Sequence, residues 1–574
     1  MDAKKAEALL NFTKHTWITS LVLLFAMLYP SQAEAQAPCT VHPQNALSIE
    51  ASQYLSSLRP DTLSSQRRAA VDSVYAPCAF QLLWSENGAL TEQARQVMIE
   101  MGRSDRKGLH SEDYGMSWWG CRAAATEIPC TQRARELGQF DVDLTAAALR
   151  FASDLAYGRA RPHNEKAGYI SRPDPVFLAT FVRSLSNAQE VSSLVSTLEP
   201  SHPGYRRAEK ALSSMADAMK DMHETTLPDT IVHLTGGQTG PEAHAVNQRL
   251  AELSYLPPAL DRPILDTMDA TTLTAIHKFQ QEHGLQDTGT INRETVAAMN
   301  VPLKTRAEQL ALTLERWRWV PHQFSAPPLV VNIPEFRVRA YNAAGEVVLS
   351  MPVVVGRTGS RRTPMLQATL ERVIFHPYWN VPANIAAREI APHATDGSSY
   401  LSQHEYQVID RSGKVLHSSG AELRRQLLSG TARIRQLPGA QNALGNIKFE
   451  FPNTFNVYLH GTPQQALFAH ARRDFSHGCI RVEDPAGLAA WVLRTQEDGR
   501  ASEQVATALA DPRTRVVPVP RPIPVLVVYG TGIAAEDGSL RFFTDVYGFD
   551  ASLRKELEDL SARRKSQDQL PWAA

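Results

Sequence analysis

Apolar and helix-forming residues recur at helical spacing from Leu144 to Ala156, and Gly158 and Pro162 follow as stop signals. Phe177 to Leu198 and Tyr205 to Met222 are two more amphipathic stretches, separated by Pro200 and Pro203. Residues 36–235 therefore read as a helical scaffold, and no catalytic constellation stands out in them. The breaker cluster from Thr235 to Pro241 marks a domain boundary. Behind it, residues 240–302 predict a compact three-helix unit. Its helices run over Val246 to Leu253, Asp269 to His283 and Arg293 to Met299. Asp269 is placed as an N-cap and Gly284 as a C′ residue. Leu273, Ile276 and Phe279 share one helix face.

From about Pro328 the period changes. Leu329–Ile333, Arg337–Tyr341, Val347–Leu349, Val353–Val355, Val373–Phe375, Ile447–Phe451 and Val457–His460 are short β-rich runs. Asn342–Gly345 reads as a hairpin turn. A mainly β domain over 325–530 is expected. Residues 383–440 interrupt it with a polar insertion of helix and loops, which would cap the domain as a lid. Residues 531–574 form a C-terminal extension. The fold class is multidomain α+β.

The N-terminus departs from both patterns. Lys4, Lys5 and Lys14 precede the apolar run Ile18–Tyr29, and Ala33-Glu34-Ala35 follows. That order is a secretory signal over residues 1–35, with cleavage after Ala35. The apolar run is short for a spanning helix, which needs roughly 20 residues. If the segment were retained, it would tether the chain to the inner membrane. Composition adds little: among 574 residues the net charge is −1, which gives no reason to expect nucleic acid as a partner.

Export makes the five cysteines informative. Cys39, Cys78, Cys121 and Cys130 lie in the first quarter of the chain, and Cys479 stands alone. The first four are expected to pair as Cys39–Cys78 and Cys121–Cys130, one of three connectivities, leaving Cys479 as a reactive thiol. The sequence has no G-x-S-x-G, H-E-x-x-H, C-x-x-C or Walker loop. His393 and His404 with Glu389 and Glu405 match no helical metal pair, so neither metal nor organic cofactor is expected.

What remains is Tyr458-Leu459-His460-Gly461, then Ser476-His477-Gly478-Cys479-Ile480-Arg481. A cysteine attacks as thiolate, and an imidazole can take its proton. His460 and His477 are both candidates. His460 follows an apolar β run that could aim it across a cleft, whereas His477 shares a tight turn with the thiol. Gly478 permits that turn, and main-chain N–H groups around Cys479 could form an oxyanion hole. Arg481 could lower the thiol pKa or hold a substrate carboxylate.

These motifs carry a resemblance. His460-Gly461 with Ser476-His477-Gly478-Cys479-Ile480-Arg481 resembles the signature of the L,D-transpeptidase (YkuD) family. Val331–Pro334, Val355-Gly356, Thr363-Pro364, Pro377–Pro382 and Phe542–Gly548 extend the likeness to its YcbB-type branch. Ala275–Gln280, Gly284-Leu285, Asp287, Gly289, Ile291, Thr295 and Asn300 resemble a peptidoglycan-binding domain.

The resemblance implies a helical scaffold, a small peptidoglycan-binding-like domain, and a mainly β catalytic domain with an inserted capping subdomain. It implies Cys479 as nucleophile and His460 as proton donor and acceptor. Ser476, His477 and Gly478 would support the turn and oxyanion, and Arg481 and Tyr458 would bind substrate. The substrate would be peptidoglycan in a Gram-negative periplasm. Cys479 would form a thioester with a tetrapeptide stem, and the diaminopimelate amine of a second stem would resolve it as a 3→3 cross-link. An L,D-carboxypeptidase, an enzyme linking or unlinking a lipoprotein, and a dead wall-binding protein are the alternatives. Gly461 stands where that branch often carries Asp, so a main-chain carbonyl is expected to orient His460 instead.

Overall fold

The computed structural model describes residues 46–568 apart from 58–67, 69–70, 116–129, 161–173, 220–223, 258–262, 396–397 and 495–499. The expected signal segment, Cys39 and Cys121 lie outside the described residues. Cys78 is disulfide-bonded, and Cys479 is a free thiol.

The N-terminal part is helical, as its periodicity predicts. Helix Cys130–Tyr157 carries Leu144, Ala148, Phe151 and Leu155 into a core with Trp84, Met101 and Val182. The long amphipathic run from Phe177 divides into helices Pro175–Leu185 and Val191–Ser196. Asp174 caps the first by accepting from the Val176 and Phe177 N–H groups. A small hairpin, β1 (Ser85–Glu86) with β2 (Ala89–Leu90), interrupts the helices.

The small domain has the three expected helices, Pro241–Glu252, Ala270–Glu282 and Arg293–Met299. Asp269 accepts from the Thr272 N–H at 2.8 Å, which fixes the second helix's start. The domain begins earlier than the breaker cluster suggests. Leu227, Ile231 and Leu234 belong to its core, and β3 (His233–Leu234) pairs with β4 (Ile291–Asn292). A three-helix unit this small gains apolar burial by drawing in that preceding segment.

The next domain is a closed barrel. Its strands are β5 (Leu329–Asn332), β6 (Arg337–Tyr341), β7 (Val347–Gly356), β8 (Leu366–Phe375), β13 (Ile447–Glu450), β14 (Leu459–His460), β16 (Ile480–Val482) and β17 (Arg515–Val528). They pair in the order β7-β16-β14-β13-β8-β17-β5-β6, and β6 returns to β7. β15 (Asp474–Ser476) extends the edge of β7 beyond β6. Val347–Leu349 and Val353–Val355, read as separate runs, are one strand. β17 was not legible in the sequence, because prolines at 518, 520, 522 and 524 argue against a strand. A register shift between Pro518 and Ile523 accommodates them. Helices Pro485–Leu493 and Ala501–Ala510 supply Leu488, Ala489, Val492, Val505 and Ala508 to the barrel core. The sequence did not suggest them either.

The insertion is more than helix and loops. β9 (Trp379–Asn380), β10 (Tyr406–Asp410), β11 (Val415–Leu416) and β12 (Ala432–Gln436) form a second sheet, order β11-β10-β12-β9. Helix Gly420–Ser429 buries Leu423 and Leu427 against Val408 and Ile434. It is a subdomain with its own core. The C-terminal extension packs back onto the whole assembly. Helix Phe549–Asp568 sends Arg564 to Asp154 at 2.6 Å and Asp113 at 3.2 Å in the helical domain.

Candidate active site

The site is built on two neighbouring strands. β14 and β16 run parallel, with Leu459 opposite Ile480 and His460 opposite Arg481. Leu459, Ile480 and Val482 fill the barrel core. Strand alternation then places Tyr458, His460, Cys479 and Arg481 together on the outer face. One strand further, Lys448 of β13 lies opposite His460. Lys448, His460 and Arg481 therefore form a row across three strands, with the imidazole between two cations. Lys448 is the member that sequence reasoning missed. Its signal was the alternation Ile447-Lys448-Phe449-Glu450.

Burial sets the charge of His460, and the row reinforces it. The side chain is buried, 4% exposed. Burial, then the Arg481 charge and more weakly Lys448, push its pKa down to about 3. The ring is neutral at pH 7. Its Nδ1 lies 2.6 Å from the Gly461 carbonyl. A carbonyl can only accept, so Nδ1 carries the proton and Nε2 is the basic nitrogen. The main-chain partner stands where a carboxylate was absent. An added Cβ at 461 would press on the Pro485 ring at 3.2 Å and touch the Leu444 carbonyl and Gly445 at ordinary contact distance.

Cys479 is partly exposed, and its thiol lies 3.7 Å from the Asn456 carbonyl. Burial raises its pKa, while Tyr458, through main chain and hydroxyl, opposes that rise, as do Lys448 and Arg481. Burial first, and then Cys479, raise the Tyr458 pKa, while the Trp379 side chain opposes them. Lys448 Nζ sits 4.4 Å from the Tyr458 ring centre. No hydrogen bond joins His460 directly to Cys479 among the described residues.

The turn before Cys479 is fixed by hydroxyl groups. Gly478 takes φ +123°, a region closed to other residues without strain. Its N–H donates to Ser476 Oγ at 3.0 Å, and Ser476 Oγ donates to the Cys479 carbonyl at 2.5 Å. Thr363 Oγ1 donates to the Gly478 carbonyl at 2.8 Å. Tyr547 holds Thr363 by accepting from its N–H at 3.2 Å and donates to the Gly356 carbonyl at 2.5 Å. The Gly478 N–H is thus occupied within the turn. The Cys479 N–H has no partner among the described residues.

The structure separates the two histidines. His477 is engaged by other groups, with Nε2 2.8 Å from Glu389 Oε1 and 2.8 Å from Arg361 Nη1. Glu389 belongs to the insertion and also pairs with Arg361 Nη2 at 2.6 Å. Burial alone would raise the Glu389 pKa, but His477 and Arg361 outweigh it and the pKa is lowered. Arg481 Nη1 donates to Gln464 at 2.6 Å, and its Nε has no partner. Among the described residues no group of three or more His, Cys, Asp or Glu side chains could hold a metal.

Residues 328–518 match the family model described as the L,D-transpeptidase catalytic domain, YkuD.

This chain carries a catalytic domain of the L,D-transpeptidase family.

Residues 239–299 match the model named "Putative peptidoglycan binding domain", and residues 69–212 match a scaffold domain. A Haemophilus influenzae protein named "Putative L,D-transpeptidase" is 31% identical over 266 residues, 46% of this chain and 53% of that protein. The match spans about half the length of that relative. A crystal structure of an L,D-transpeptidase from Xylanimonas cellulosilytica matches 52% of this chain and 98% of that one. Its identity is 15% and its TM-score 0.18.

Proposed function

We propose that this chain is a peptidoglycan L,D-transpeptidase that forms 3→3 cross-links through a thioester on Cys479. The observation that supports it best is the shared outer face of β14 and β16, where a free thiol and a neutral imidazole lie on adjacent parallel strands.

The mechanism follows from those groups. His460 Nε2 takes the Cys479 proton once the thiol turns away from the Asn456 carbonyl. A neutral histidine is ready for this at pH 7 without first losing a proton. The sulfur attacks the carbonyl carbon at the L-centre of diaminopimelate in a tetrapeptide stem. The Cys479 N–H is placed to donate to the developing oxyanion, in place of the occupied Gly478 N–H. The bond to D-Ala breaks, and His460 returns its proton to the leaving amine. A diaminopimelate amine of a second stem then attacks the thioester and gives its proton to His460. The thiol leaves and recovers that proton. Tyr458, Lys448 and Arg481 stabilise the thiolate between steps, and Arg481 has an unused Nε for a substrate carboxylate.

The compartment follows from the same reading. Peptidoglycan lies outside the cytoplasm, and the disulfide at Cys78 fits an oxidising space such as the periplasm. Among the described residues no helix is long and apolar enough to cross a membrane.

Mass spectrometry of disaccharide-tetrapeptide stems incubated with the chain tests the reading. Cross-linked dimers with release of D-Ala are expected. Tripeptides without dimers would make water the acceptor and the chain an L,D-carboxypeptidase. A carbapenem adduct on Cys479 is also expected, and its absence would indicate a dead catalytic fold.

A further inference from the structure

A groove of about 1460 Å³ runs between the small helical domain and the barrel. It is larger than the roughly 300–1,000 Å³ that suits a single small ligand, so its size fits a length of polymer. Lys278 and Gln281 stand on the small-domain wall, and Arg337 and Arg473 on the barrel wall.

Neither of those two arginines is ion-paired among the described residues, although the charges of Glu335 and Glu483 reach both. Arg337 donates to Ser350 Oγ at 3.1 Å. Arg473 donates to the carbonyls of His470 at 2.5 Å and Phe336 at 3.2 Å. The neighbouring Glu335 is spent on Arg339, with bonds of 2.6 and 2.5 Å. Burial first, and then the charge of Arg337, push the Arg473 pKa down to about 10. Two half-buried guanidiniums that repel one another would gain from a shared carboxylate, which arginine pairs bind well.

We propose that this groove is a second substrate-binding site, in which Arg337 and Arg473 hold a free carboxylate of a peptidoglycan stem peptide. The inference rests on peptidoglycan as the substrate. The barrel wall of the groove includes Phe475 of β15, and β15 leads directly into His477-Gly478-Cys479. A strand of wall material held here would lie beside the chain segment that carries the thiol. The proposal gives the small domain a role, as the opposite wall of a binding groove.

The test uses the full-length protein and a soluble disaccharide-tetrapeptide, compared with the same compound after its carboxylates are amidated. Binding is read by calorimetry, and Cys479 acylation by a carbapenem is read separately by intact mass. Arg337→Gln is expected to weaken binding of the free-carboxylate probe at least fivefold, and Arg337→Lys to restore most of it. The amidated probe should bind the unaltered protein as weakly as the free probe binds Arg337→Gln. Equal binding by Arg337→Gln and the unaltered protein would overturn the proposal, as would full affinity for the amidated probe. Carbapenem acylation should be unchanged in Arg337→Gln. If Cys479 never acylates while Arg337→Gln still loses the probe, the groove stands and the catalytic reading fails.

Discussion

His477 Nε2 lies 2.8 Å from Glu389 Oε1, so the residue two before Cys479 is bonded to the inserted subdomain. Trp379, in the sheet of the same subdomain, lies near enough to the Tyr458 hydroxyl to oppose the rise in its pKa that burial and Cys479 cause. The cap is thus tied through Glu389 to the turn that carries the thiol and to Arg361. Glu389 and Arg361 are each 37% exposed at the side chain. Exposed pairs of this kind contribute about 0–1 kcal/mol, weak enough for the cap to open. Glu389→Ala is expected to speed alkylation of Cys479 by iodoacetamide about two- to fivefold. An unchanged alkylation rate would show that the clasp does not control access.

The two histidines should differ in their effect on turnover. His460→Ala is expected to lower acylation of Cys479 by about 10²–10⁴, the usual contribution of general acid–base catalysis. His477→Ala should cost much less, because its imidazole faces Glu389. Cys479→Ala should abolish acylation. Single-turnover rates of stem cleavage check all three. A larger loss in His477→Ala than in His460→Ala would refute the assignment of the base.

His460 also makes a stability prediction. Its pKa is pushed down to about 3 in the fold, against about 6.5 when unfolded. Between these values the unfolded chain binds more protons, so stability rises with pH across that window. Acidification from about 6.5 towards 3 should destabilise the barrel. At ~1.4 kcal/mol per pKa unit the contribution is a few kcal/mol. His460→Gln should flatten part of that slope in denaturant titrations. His202, lowered to about 4 by burial and by Arg207, adds a slope of the same sign that this variant retains. An identical pH profile in His460→Gln would show that the ring is not held neutral.

The turn carrying Cys479 should tolerate little. An added Cβ at Gly478 meets nothing closer than 3.7 Å, so Gly478→Ala tests backbone strain rather than crowding. It is expected to cost about 1–3 kcal/mol of stability and to slow acylation by displacing the Cys479 N–H. Tyr547→Phe strips the Gly356 carbonyl and Thr363 N–H of a buried partner, at about 1–3 kcal/mol. Thermal melts with acylation rates measure both. Wild-type acylation in either variant would contradict the role given to the turn.

Much of this molecule was legible in the chain itself. Helical period, the Asp269 cap and the switch to alternating patterns after Pro328 are local properties, so the helical domain, the three-helix unit and most barrel strands could be read from sequence. Cys479 stood out because it lay far from four clustered cysteines, and His460 because it ended an apolar strand. What local pattern could not show depended on pairing partners distant in sequence. Strand β17 is stable despite its prolines because β8 and β5 flank it on both sides. Leu227 to Leu234 joins the small domain only through β4 and its core. Lys448 enters the site because β13 pairs with β14, and that register places His460 between two cations, which add to the burial that keeps it neutral. Sequence supplied the thiol and the imidazole. The tertiary structure decided which histidine shares the thiol's face, since only strand register brings side chains from separate segments onto one surface.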